Sequence, residues 1–175
     1  PGEKGLGHFA QQIETYIEAR GLHRRPGGVV LAGSSMGGAV ALVVAQRRRV
    51  PLRGLILMGS YGHARHLKPL QRNAALLAWV LPKALVHYYA RPMLLKSEAF
   101  GVFSREEAEY MLRCIYIPSR GYLVRAVSAL TKLDILEAAR NLDVPTLVLH
   151  GTRDFVLPFE AGRELAAAIP GAKLA

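Results

Sequence analysis

An α/β fold, part of a doubly wound parallel sheet with an all-helical segment inserted into it, is predicted by three observations. Short apolar runs at 29–32, 54–58 and 146–150 read as buried strands. Helical patterns alternate with them, which implies right-handed parallel crossovers and helices on both faces. Between 61 and 133 the alternation stops and only helical patterns remain.

The elements follow in order. Glycines at 2, 5 and 7 open the chain as loop. Gly5-x-Gly7-x-x-Ala10 imitates a dinucleotide fingerprint, but no strand precedes it and the next strand ends in Ala32-Gly33 without an acid, so a nucleotide cofactor is rejected. His8 to Arg20 is predicted as a helix with Phe9, Ile13, Tyr16 and Ile17 on its buried stripe, closed by Gly21. Arg24 to Gly28 turns the chain into the first strand, and Ala39 to Gln46 reads as an apolar helix. Arg47-Arg48-Arg49 is expected as its solvated end, since cations suit a helix C-terminus. Leu67 to Leu95 is predicted helical with a break at Pro82, and Ser104-Arg105-Glu106-Glu107 is a capping box. Tyr122 to Leu133 carries a further helical stripe. Asp134 to Leu142 is expected as a short helix that Asp134 starts, and Asp143 leads into the third strand. Pro158 suits the first turn of a helix ending at Ile169, and Lys173-Leu174-Ala175 begins a fourth strand.

The chemistry concentrates between the first strand and its helix. Gly33-Ser34-Ser35-Met36-Gly37-Gly38 places Gly-x-Ser-x-Gly between a buried strand and a helix start. A bare match is weak in a chain with 17 glycines, and an inert serine in a glycine-rich turn would read the same way. The flanking strand and helix make it a nucleophile elbow, with Ser35 strained at the strand tip. Gly33 and Gly37 are expected to leave room where a side chain would collide, and Gly38 to allow close helix–sheet packing. The Met36 N–H, at the helix start, would point at a developing oxyanion.

With Leu55 to Ser60 and Val144 to Asp154, the elbow makes the chain resemble the α/β-hydrolase fold, in its serine-hydrolase branch with a helical cap. The resemblance spans most of the chain outside 61–133. It implies core segments at 1–60 and 134–175, with 61–133 as a cap rich in Trp79, Tyr88, Tyr89, Phe100, Phe103 and Tyr116, most of them cap core. In this fold the order is nucleophile, acid, histidine, so Asp154, just past the third strand, takes the acid position. No histidine follows His150, which ends a strand and is assigned a structural role; the others, His8, His23, His63, His66 and His87, lie upstream. The expectation is an internal piece of a longer hydrolase, inactive by itself, with its base and second oxyanion donor outside these 175 residues. Missing early strands would leave Val29 to Ala32 as an exposed edge.

The implied activity is cleavage of an ester or related acyl bond in a small, largely apolar substrate, with no cofactor and no metal. A non-catalytic small-molecule binder on the same fold stays open, as do carbon–carbon hydrolases, lactonases and cofactor-free haloperoxidases. Epoxide hydrolases and haloalkane dehalogenases are disfavoured because they carry aspartate where this chain has Ser35. The net charge of +10 invites nucleic acid as a partner, but the Lys and Arg are scattered and that partner is rejected. Cys114 alone allows no internal disulfide or cysteine-rich metal site. No apolar run reaches the roughly 18–20 residues of a membrane span, so membrane association is not expected. The lone cysteine permits a reducing compartment, and a cytoplasmic location is expected.

Overall fold

The computed structural model describes residues 5–69, 106, 109–110, 120–154 and 156–175. The chain divides into two compact units, Pro1–Lys68 with Ala129–Ala175, and Pro69–Ser128. Most of the second unit, the aromatic residues and capping box expected of a cap among it, lies outside the described residues.

The first unit is built on four parallel strands in the order of the chain: β1 Val29–Ser34, β2 Leu52–Met58, β3 Thr146–Leu149 and β4 Lys173–Leu174. His150 N–H to Ala175 O (3.0 Å) and Ala175 N–H to Val148 O (2.9 Å) carry the last pairing past both strands. Helices α1 Gly7–Ala19, α2 Met36–Arg47, α4 Leu136–Ala139 and α5 Phe159–Ala168 accompany it, and α3 Arg120–Thr131 belongs to the second unit up to Ser128. α2 packs on β1 and β2, α5 packs on β3 and β4, and α1–α2–α4–α5 touch in series as one layer. Leu55, Leu57 and Val148 face that layer and are almost wholly buried. Alternate side chains are less so, as the two-residue period of a strand requires. The expected buried first strand is not observed: among the described residues β1 pairs with β2 alone, its Val30 is 54% exposed, and of its residues only Gly33 is buried.

Three local expectations give way to tertiary contacts. In α1 the buried positions are Phe9, Ala10, Glu14 and Ile17, whereas Ile13 and Tyr16 are exposed. A carboxylate at 2% exposure demands a partner. Arg47 Nε stands 2.9 Å from Glu14 Oε1, misaligned for a hydrogen bond but close as a charge, and Arg49 Nη1 lies 3.9 Å from Oε2. Arg47 is therefore mostly buried, not part of a solvated helix end, and its Nη1 also donates to Gly7 O. Arg48, at φ 50°, ends the helix left-handed and reaches Asn141 O and Asp143.

Asp134 does not start α4, which Ile135 precedes without a side-chain cap. It pairs instead with His63 in an antiparallel bridge. Ala64 N–H to Leu133 O (2.8 Å) and Ile135 N–H to Gly62 O (2.9 Å) complete this lacing, with Leu133 and Ile135 buried behind it. The points where the chain leaves and re-enters the first unit are thus tied together. Pro158 stands one residue before α5 with extended ψ of 146°, short of the first turn expected for it.

Two outcomes follow. Glu14→Gln leaves the Arg47 guanidinium without its counter-charge and should cost about 3 kcal/mol, read as a lower urea midpoint. In residues 1–175 expressed alone, Val30→Lys should reduce self-association measured by light scattering, because an edge cation opposes strand addition. Equal scattering from both forms would contradict this.

Candidate active site

Ser35 is, with Arg48, one of two non-glycine residues at positive φ among the described residues. Its φ of 51° and ψ of −117° lie outside the regions open to ordinary L-residues, at a cost of about 1–3 kcal/mol. Such a conformation persists only when neighbours impose it. Ser35 N–H donates to Met58 O at 2.9 Å. Ser35 O accepts from Gly38 N–H (3.1 Å), Ala39 N–H (3.4 Å) and the Ser60 hydroxyl (3.1 Å). The side chain itself is exposed at the carboxyl end of β1.

The glycines around it do different things. A Cβ on Gly33 would collide with the Gly37 carbonyl, with Gly38 N only 2.6 Å away, so the strand end and helix start close on each other there. A Cβ on Gly38 would strike Ser60 Oγ and come within 2.7 Å of Ser60 Cβ. Gly37 departs from expectation, since a Cβ there meets nothing within 4 Å. Its helical position faces outward, so no crossing backbone limits it. Met36 and Gly37 are the first two residues of α2, and their N–H groups have no acceptor within the helix.

Asp154 stands on the loop after β3, with Met58 between its strand and that of Ser35 in the register Ser34–Met58–Leu149. β1 and β3 are two spacings apart, about 10 Å. Asp154 Oδ1 accepts from Val156 N–H (2.8 Å) and Leu157 N–H (3.0 Å), an Asx-type turn that fixes the carboxylate. Oδ2 lies 3.5 Å from where Gly59 would carry a Cβ, and 3.6 Å from His150 Nε2.

These features sit on a chain whose residues 4–174 match the model of the family described as "Serine aminopeptidase, S33". The chain belongs to this α/β-hydrolase family. It is 25% identical over 181 residues to "Putative carbamate hydrolase RutD" of Klebsiella pneumoniae (strain 342), covering 99% of this chain and 64% of that protein. The chain thus spans less than two thirds of that relative's length. The solved bromoperoxidase from Bacillus anthracis superposes at TM-score 0.81 with 20% identity, over 100% of this chain and 67% of that one. The enol-lactonase from Burkholderia xenovorans LB400 superposes at 0.76 with 20% identity, over 97% and 63%. At these identities the structural likeness concerns the fold alone.

Four of the described histidines of this α/β-hydrolase chain have polar partners away from Ser35. His150, its side chain wholly buried, directs Nε2 at Leu157 O (3.3 Å) and packs edge-on to Phe159, with Gly162 too close to its ring to carry a Cβ. His63 Nδ1 accepts from Arg65 N–H, and His23 Nε2 accepts from Arg24 Nε. His66 Nε2 lies 2.6 Å from Glu164 Oε2, a carboxylate Arg65 also pairs with. Burial, helped by the charge of Arg65, lowers the His66 pKa below the ordinary histidine value. Burial likewise raises the Tyr61 pKa, and its hydroxyl donates to Leu130 O. His87 lies outside the described residues. Among the described residues no cluster suited to a metal ion occurs, and no helix is long and apolar enough to cross a membrane.

Ser60 carries little signal in the sequence: it is a small polar residue that follows Gly59 just past the end of β2. The glycine contrast has a direct readout. Gly38→Ala should destabilise by about 2 kcal/mol through overpacking against Ser60. Gly37→Ala should leave stability unchanged or raise it by up to about 1 kcal/mol, because alanine is less costly to order in a helix. Thermal melts of both variants check the pair.

Proposed function

We propose that the protein carrying this chain is a serine hydrolase that cleaves a carboxylic ester or related acyl bond of a small, largely apolar substrate. The observation that carries the reading is the strained Ser35, exposed at the carboxyl end of the parallel sheet and directly before a helix N-terminus. Asp154, held by its own loop on the neighbouring side of β2, supports it. The carbamate-hydrolase and enol-lactonase names among similar proteins support acyl-bond chemistry more than a fixed substrate.

In this reading a histidine supplied from beyond Ala175 takes the Ser35 hydroxyl proton as Oγ attacks the substrate carbonyl. The carbonyl π electrons move to oxygen, and the Met36 N–H at the positive end of α2 stabilises the oxyanion. Collapse of the tetrahedral intermediate expels the leaving group, which takes the proton from the imidazolium. Water, deprotonated by the same imidazole, then hydrolyses the acyl-serine. Asp154 orients that imidazole and offsets its charge.

In the full-length protein, a fluorophosphonate should label Ser35 covalently, and Ser35→Ala should abolish labelling and lower turnover of a short-chain aryl ester by about 10⁴-fold or more. Asp154→Asn should cost about 10⁴-fold in kcat. Residues 1–175 alone should show background turnover. Wild-type rates from Ser35→Ala would overturn the reading; absent labelling and turnover would favour a non-catalytic binder.

A further inference from the structure

Ser60 is wholly buried, and its hydroxyl lies 3.1 Å from two carbonyl oxygens, those of Ser35 and Met58. The same Met58 oxygen accepts the Ser35 N–H. A closed ring results: Ser35 N–H donates to Met58 O, and the Ser60 hydroxyl shares its one proton between Met58 O and Ser35 O. Both backbone polar groups of the strained residue are thereby tied to the exit of β2, one on each side of its Cα. Rotating Ser35 back to an ordinary conformation would break contacts on both sides.

The space for this hydroxyl is reserved. A side chain on Gly38 would occupy it, and Gly38 lies in the first turn of the helix that follows Ser35. The preceding Gly59, at φ 49°, donates its N–H to Leu149 O and turns its bare α-carbon toward Asp154 Oδ2. The three residues Met58, Gly59 and Ser60 therefore touch Ser35 on one side and Asp154 on the other.

We propose that Ser60 is a positioning residue for Ser35, its buried hydroxyl holding the serine's carbonyl, and so its Oγ, in the attacking geometry. This rests on the reading of Ser35 as nucleophile. An error of about 1 Å in a reacting atom can cost on the order of 100-fold in rate, so one hydroxyl at this place has leverage.

The test uses the full-length protein with Ser60→Ala and Ser60→Cys, and Ser35→Ala as reference. kcat and KM on a short-chain aryl ester, the rate of fluorophosphonate labelling and Tm are measured together. In Ser60→Ala, kcat and the labelling rate should both fall by about 10- to 100-fold while KM stays within about twofold. Ser60→Cys, with a weaker donor of similar shape, should fall between that variant and wild type. Unchanged kcat and labelling in a folded Ser60→Ala, with Ser35→Ala inactive, would overturn the positioning role and leave the nucleophile standing. Should Ser60→Ala fail to fold, wild-type kcat in Ser60→Cys would overturn it equally. Misfolding of both variants would show that the hydroxyl serves stability alone. Activity in Ser35→Ala would remove the nucleophile and this role with it.

Discussion

The backbone of Ser35 is the constraint on which the rest of the first unit depends. A residue at φ 51° and ψ −117° releases energy if it relaxes, so every neighbour must deny it that option. Met58 O holds its N–H, Ser60 and the first turn of α2 hold its carbonyl, and Gly33 lets strand and helix close to backbone contact. The exit of β2 is thus more than the end of a strand. It is the anvil against which the turn is bent.

The same economy governs the layer of helices. α1 packs chiefly on α2, and where the two meet it places Glu14 opposite Arg47 and Arg49. A buried carboxylate is costly unless matched, so this contact adds orientation more than net stability. It tells α1 which way to face, and Ile13 and Tyr16 are left outward in consequence.

An insertion between neighbouring strands threatens a sheet because the connection is long. The pairing of 62–64 with 133–135 answers this by closing the loop at its base, with Leu133, Ile135 and Ala64 buried around the closure. Gly62 faces Leu136 and Leu165 too closely for a side chain. β2 and β3 can then pair as though the connection were short.

The sequence by itself determined the parallel α/β order, the strand–serine–helix turn and the strain at Ser35. Each rests on local information: an apolar run, a small residue beside a tight turn, an amphipathic period. The steric roles of Gly33 and Gly38 were legible for the same reason, whereas that of Gly37 was assigned by symmetry of the motif and the helix turned it outward. What tertiary structure alone decided are pairings between residues distant in the chain. The buried face of α1 was set by Arg47, the fate of Asp134 by His63, and the place of Ser60 by a missing side chain at Gly38. A periodic pattern says which residues can be buried together. It does not say which charge will find its partner, because that depends on distances that exist only once the strands have paired.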